Sequence, residues 1–302
     1  MCKKLLSLVL ICLMMLPCAP ALASSIIPVN WGKEFGDYRY SVNDDGTATI
    51  TKYLGDADEL FVPEEMDGHK ITAIGDKAFD FQESLTNISL PDTVVSIGNE
   101  AFSACFYLTS ISLPDSLVSI GNEAFSNCKS LSSITFPDTL TSIGDHAFSV
   151  CESLTSVSLP NSLTYIGDSA FRHCISLTSI SLPDGLTHIG DYSFYGCYSL
   201  TSISIPNSLT SIGENVFVSS SLTDVTLPDS LTSIGERAFQ SCNSLTSVTL
   251  PDTLSSIGFW AFESCPNLTL TVPRDSYAEQ YAESAGIPYV HPIGPEILIF
   301  PE

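Results

Sequence analysis

The chain has 302 residues and a formal net charge of −23, from 34 acidic side chains against only 11 Lys and Arg. A surface this acidic repels phosphate backbones and anionic lipids, which argues against nucleic acid or a membrane surface as partner. Ten cysteines are present, but three lie in the first 18 residues. The other seven recur at a regular spacing unlike a compact disulfide framework.

Residues 1–23 read as a secretory leader. Lys3 and Lys4 supply the positive start, and a largely apolar run of 12 residues follows at 5–16. That run is too short to span a bilayer as a helix, and Ala21-Leu22-Ala23 provides the small-residue cleavage signal. Met15-Leu16-Pro17 before Cys18 does not suit lipid attachment. No later run is long and apolar enough to anchor the chain, and the C-terminus shows no sorting signal. The expected destination is the cell surface or the medium, without membrane insertion after cleavage.

Residues 24–59 read as an N-terminal β cap. Tyr38-Arg39-Tyr40-Ser41-Val42 alternates, Asn43-Asp44-Asp45-Gly46 marks a turn, and Thr47-Ala48-Thr49-Ile50 alternates again. This is a hairpin pattern. Five extra residues between Pro63 and Gly75, around Met66-Asp67-Gly68, read as a loop in the first repeat.

Residues 60–272 are a repeat. Ile-Gly pairs end at Gly75, Gly98, Gly121, Gly144, Gly167, Gly190, Gly213, Gly235 and Gly258, all 23 apart except the 22-residue step from Gly213 to Gly235. The unit at 131–151 shows the logic. Leu131, Ile134 and Phe136 form an L-x-x-L-x-L strand whose apolar side chains stack on the next unit. Ser132, Ser133 and Thr135 are its polar face. Pro137-Asp138 ends the strand. Leu140 and Ile143 make a second apolar segment, and Gly144 permits a bend. Asp145 is expected to cap a short helical turn carrying Ala147, Phe148 and Cys151. No unit buries its apolar side alone, so the units must stack. The fold class is therefore a leucine-rich-repeat solenoid, mostly β with short helical turns.

Residues 273–291 are expected to close the last coil with a helix. Ser276 and Glu279 fit a capping box, Tyr277, Ala278, Tyr281, Ala282 and Ala285 form a face, and Gly286 stops the helix. Residues 292–302 are expected to be a tail.

The pattern L-T-S-I-S-L-P-D-S-L-T-S-I-G-[DNE]-x-A-F-x-x-C-x-S resembles the BspA-like (Treponema pallidum type) leucine-rich-repeat family over residues 60–272. The lead-in from Asp44 to Gly55 and the ending from Ser276 to Ala282 are also similar to that family. The resemblance implies a surface or secreted protein, and for several members attachment to host matrix or to other microbes. Three positions depart from the pattern. Gln82 stands where Cys is expected, the coil after Phe217 lacks its Cys and one residue, and the strand at 268–272 is one residue short.

Nothing outside the repeat suggests catalysis. His69, His146, His173, His188 and His291 form no H-E-x-x-H or H-x₃-H arrangement, and no nucleophile elbow, P-loop or dinucleotide motif occurs. Neither an enzyme activity nor a cofactor is expected. The cysteine column reads first as buried packing thiols. Disulfides between neighbouring coils fit the spacing, and a metal ladder lacks any C-x₂-C pair. Asp92, Asp115, Asp138, Asp184, Asp229 and Asp252 read as turn formers rather than calcium ligands. The near-invariant Ser/Thr strand face (Thr109, Ser110 and Ser112; Thr155, Ser156 and Ser158; Thr178, Ser179 and Ser181) offers no aromatic or Arg anchor. It would suit a repetitive ligand or simply a solvated strand.

Variation gathers around the turns, at Phe106, Tyr107, Phe259 and Trp260, and above all in coils five and six. There Tyr165, Arg172, His173, Ile175, His188, Tyr192, Tyr195 and Tyr198 are expected to make an aromatic and basic patch on an acidic protein. Arg172 should lie beside Tyr195, Ile175 beside Tyr198, and Tyr165 beside His188. Tyr and Arg dominate binding hot spots. The expected function is adhesion to an extracellular protein of host matrix or a microbial surface. The alternatives are a passive structural surface module and a binder of a repetitive ligand.

Overall fold

A computed structural model describes residues 32–292. The leader at 1–23 and the tail from 293 onward lie outside the described residues. Within them the chain winds into nine coils, each ending its second strand in Ile-Gly, with a partial coil at either end. The coil containing Gly75 is the first and that containing Gly258 the ninth.

Three inter-coil ladders hold the stack. The first is a parallel strand column, one short strand per coil, in which Ser133–Thr135, Ser156–Ser158, Ser179–Ser181 and Ser202–Ser204 pair at strict 23-residue register. Pairing in this column is interrupted between Ser112 and Ser133 and again between Ser204 and Asp224, the second break lying next to the coil that is one residue short. The second column comprises two-residue strands such as Ser142–Ile143, Tyr165–Ile166 and His188–Ile189.

The third ladder differs from the expectation of a short helical turn in every coil. The segment after each Gly is a run of turns, and the only helix among the described residues is C-terminal. The reason lies in the backbone. Two residues per coil, such as His146 (φ 55°) and Val150 (φ 62°), are left-handed, which no α-helix tolerates. Their reversed N–H groups point to the next coil. His146, Phe148 and Val150 donate to the carbonyls of Asp168, Ala170 and Arg172 at 2.7–2.8 Å. Ala147, Ser149 and Cys151 between them close i→i−3 bonds within their own coil. Asp145 does not cap its own coil. Its carboxylate accepts the N–H of Asp168 at 2.9 Å, as Asp168 accepts that of Asp191 at 2.8 Å.

Inside these ladders one Phe per coil, from Phe79 to Phe262, stacks on its neighbours with centroids 5.0–5.7 Å apart. Burying each ring contributes about 1.5–3 kcal/mol, and offset stacking about 0.5–1.5 kcal/mol more. Six of the seven thiols are buried beside these rings. Each hydrogen-bonds the preceding coil's Phe carbonyl, as Cys174 does that of Phe148 at 3.2 Å. Gln82 performs the same task in the first coil, its Nε2 reaching the Tyr53 carbonyl at 3.3 Å. The Gly column reflects close packing between coils. A Cβ on Gly144 would lie 2.6 Å from the carbonyl carbon of Gly121.

Both ends are closed. Three antiparallel strands, Lys33–Phe35, Tyr38–Val42 and Ala48–Tyr53, cover the second column at its start. The sequence had suggested only the last two. The segment expected to be a loop is a second hairpin instead: Glu65–Met66 pairs with His69–Ile74 across Asp67 (φ 50°) and Gly68 (φ 80°). Two successive positive φ values match a type I′ turn, and the Tyr40 hydroxyl holds Asp67 at 2.5 Å. At the far end the helix Tyr277–Ala285 begins at Ser276, whose Oγ accepts the Glu279 N–H, and ends at Gly286 (φ 66°). The Glu279 carboxylate accepts the Asp275 N–H, one residue earlier than in a capping box. Its tyrosines occupy the open column ends. Tyr277 Oη accepts the Ile257 N–H at 3.3 Å, and the Tyr281 ring meets that of Phe262 edge-on at 6.2 Å. Tyr289–Val290 adds a last parallel strand beside Thr269–Thr271. An open sheet edge is thereby covered.

Candidate functional site

The outward side of the turn ladder is where side chains vary. A left-handed residue turns its amide toward the next coil, and its side chain is then free of the repeat's hydrogen-bond demands. His173 (φ 56°) and Tyr192 (φ 59°) both occupy such positions.

Five of the eight residues singled out from the sequence form one cluster here. The Arg172 guanidinium lies over the Tyr195 ring, 5.3 Å from its centroid. His173 meets the same ring edge-on at 5.4 Å and approaches Tyr198 at 6.4 Å, while Tyr192 lies 5.9 Å from Tyr195. A cation over an aromatic face contributes about 0.5–1 kcal/mol at an exposed site. Arg172 Nε is buried without a hydrogen-bond partner. Burial lowers the His173 pKa from its ordinary value, and the Arg172 charge lowers it further, against an opposing pull from Glu152. At neutral pH the cluster therefore carries one cation, on Arg172. Tyr192 and Tyr198 are exposed, and Arg172, His173 and Tyr195 are half-buried.

Gly196 belongs to this geometry and was not identified from the sequence. A Cβ there would sit 2.4 Å from His173 Nδ1. Its column holds Val150, His173, Ser219 and Ser241 in other coils, so the lone Gly was the available signal. Tyr165 and His188 stack at 4.9 Å and 9°, but on the second strand column. Among the described residues no ring contact joins this pair to the other cluster. Burial raises the Tyr165 pKa, and the nearby Asp145 and Asp168 add to the shift. Ile175 is half-buried at the position equivalent to Tyr198 one coil on.

A second cation–aromatic pair lies toward the C-terminal end. Arg237 stands over the Trp260 ring at 4.5 Å, beside Phe259, which is 80% exposed. Phe259 and Trp260 stood out in the sequence; Arg237 did not. A groove of about 920 Å³ opens there between the ninth coil and the helix, lined in part by Phe259, Trp260, Cys265, Tyr281 and Ile287.

The strand side is chemically different. Thr178 directs both its N–H and its Oγ1 to the Thr155 carbonyl, at 3.1 and 3.2 Å, and Thr155 treats the Ser132 carbonyl likewise. Thr141, Thr164 and Thr187 repeat the device on the second column. These hydroxyl protons are engaged within the solenoid. Among the described residues no group of three or more His, Cys, Asp or Glu is placed to hold a metal ion.

Repeat, register and caps now meet the comparison with known proteins. The BspA type leucine rich repeat region matches residues 72–184 and 165–281, in six copies. The chain belongs to the BspA-type leucine-rich repeat family. Its fold is similar to that of a T. pallidum leucine-rich repeat protein, at 38% identity and a TM-score of 0.58 over 62% of this chain and 88% of that one. It is also similar to a leucine-rich repeat protein from Bacteroides ovatus, at 29% identity and a TM-score of 0.61 over 80% of this chain and 70% of the other. No curated protein matches. Both solved structures are of leucine-rich repeat proteins.

Proposed function

We propose that this BspA-type chain is a secreted or cell-surface, non-catalytic module that adheres to an extracellular protein of host matrix or a neighbouring microbe. The contact is made through the Arg172, His173, Tyr192, Tyr195 and Tyr198 cluster. The observation that carries this reading is the cation of Arg172 held on Tyr195 amid exposed tyrosines, on a chain with net charge −23. Such a cluster combines the residue types that anchor protein interfaces. Exposed tyrosines lose little conformational freedom on binding. Tyr165 and His188 would form a separate contact on the adjacent side, with Ile175 at the margin. The leader at 1–23 supports an extracellular setting.

The Ser/Thr strand face is the weaker candidate, because its threonine protons already serve inter-coil carbonyls. The test is a binding screen of residues 24–302 against matrix proteins and neighbouring cells, alongside the triple variant Tyr192→Ala, Tyr195→Ala, Tyr198→Ala. Saturable binding that the variant loses while keeping its melting temperature supports the reading. Binding that survives in the variant places the contact elsewhere, and no binding by folded protein leaves a passive surface module.

A further inference from the structure

The cysteine column is not one uniform ladder. Five thiols run unbroken from Cys105 to Cys197 in successive coils. In the next coil Ser220 occupies the Cys position, its Oγ 3.2 Å from Cys242 Sγ. Cys242 and Cys265 are thereby set apart as a pair. Their coils are in direct contact: Phe239 and Phe262, each three residues before its Cys, stack at 5.2 Å. The strands of the same two coils, Ser233–Ile234 and Ser256–Ile257, pair in parallel, and paired strands lie about 4.8 Å apart, within the Cα separation of about 4.4–6.8 Å that a disulfide bridges.

One feature distinguishes this pair from every other neighbouring couple. Cys265 is the only one of the seven that is not buried, and it lines the groove of about 920 Å³ at the C-terminal end. The neighbouring Cys242 thiol lowers the Cys265 pKa, while the Cys265 thiol and burial raise that of Cys242. Cys265 thus favours the thiolate, the form that attacks disulfides. The thiols of Cys128, Cys151 and Cys174 are raised well above the ordinary value by burial.

We propose that Cys265 and Cys242 form a thiol-exchange site, with Cys265 the attacking and Cys242 the resolving thiol, for low-molecular-weight disulfides that enter the C-terminal groove. Cys265 thiolate attacks one sulfur of R–S–S–R, forming Cys265–S–S–R and expelling RS⁻, which takes the proton lost from Cys265. Cys242, as its thiolate, then attacks Cys265 Sγ, forming the Cys242–Cys265 disulfide and expelling a second RS⁻, which takes the Cys242 proton. The two protein thiols are oxidised by two electrons, and one R–S–S–R is reduced to two RSH. The protein loses two thiol–carbonyl hydrogen bonds, from Cys242 to Phe217 and from Cys265 to Phe239. Ser220 confines the reaction to this pair, since a hydroxyl cannot relay exchange to Cys197.

The experiment treats reduced, folded residues 24–302, which hold seven of the ten cysteines, with glutathione disulfide, blocks free thiols by alkylation, and maps the products by peptide mass spectrometry. A single Cys242–Cys265 disulfide, with the other five thiols alkylated only after denaturation, is the expected result. Cys242→Ser should trap one glutathionyl group on Cys265, and Cys265→Ser should take up none. A disulfide or adduct at any of Cys105 to Cys197 before Cys265 reacts overturns the proposal. So does a wild-type chain that stays fully reduced while its melting temperature shows it folded. The wild-type result stands even if a variant misfolds.

Discussion

On the strand side, coils five to seven present Ser and Thr at every outward position of the first column, from Thr155 through Thr178 to Thr201. On the turn side the same coils present Ser169, Tyr192 and Asn215 in one left-handed column, and His173, Gly196 and Ser219 in the other. Both sides carry an inter-coil ladder. The difference lies in which atoms build it. The strand side recruits side-chain hydroxyls to supplement the backbone, so the side chain is constrained. On the turn side the left-handed positions join coils through their amides, so the side chains at those positions can change without breaking that ladder. Exposure is therefore not enough to make a recognition surface. The side chain must also be free of structural duty.

The strongest way to break the contrast is from beneath it. Phe148→Ala removes a ring stacked at 5.2 and 5.4 Å on its neighbours. It should cost about 3–5 kcal/mol in a denaturant titration, because neither face survives loss of the shared core. Gly144→Ala forces a Cβ against the Gly121 backbone and should cost about 1–3 kcal/mol, read in the same titration. On the strand side Thr178→Val keeps the branched shape but removes the hydroxyl that meets Thr155. A loss of about 0.5–1.5 kcal/mol is expected, and no loss would mean the hydroxyl ladder is incidental. On the turn side Val150→Gly should stabilise. A β-branched residue at φ 62° is strained by about 1–2 kcal/mol, which the entropy of Gly offsets in part. A raised melting temperature is the readout.

The smallest effect is pH-dependent. Folding lowers the His173 pKa from its ordinary 6.5, so the unfolded chain binds that proton more tightly. Stability should then fall as pH drops below that ordinary value. His173→Gln should lose less than the wild type when melting temperatures are compared across that range. An equal loss would show that His173 is not held neutral by the cluster.

The site was partly visible in advance. Register arithmetic alone placed Arg172 next to Tyr195 and Tyr165 next to His188, because a constant 23-residue step puts equivalent residues in adjacent coils. It did not separate the Tyr165–His188 stack from the other cluster, since the two lie on different sides of one coil. Gly196 and Arg237 escaped notice because their roles depend on contacts across coils. The same holds for Ser220, which keeps the three-residue offset from Phe217 that each Cys keeps from its own Phe but meets Cys242 only across coils.

Sequence periodicity by itself determined the solenoid, its apolar interior, the column of seven cysteines and the family. A repeat that recurs every 23 residues can bury its Leu, Ile and Phe only by stacking in register. The tertiary structure decided what the period leaves open. A segment with helical spacing became a ladder of turns, because the amides of His146 and Val150 find their partners in the next coil. It also opened the groove beside Cys265. Those outcomes rest on backbone φ and on contacts between coils, which no single repeat contains.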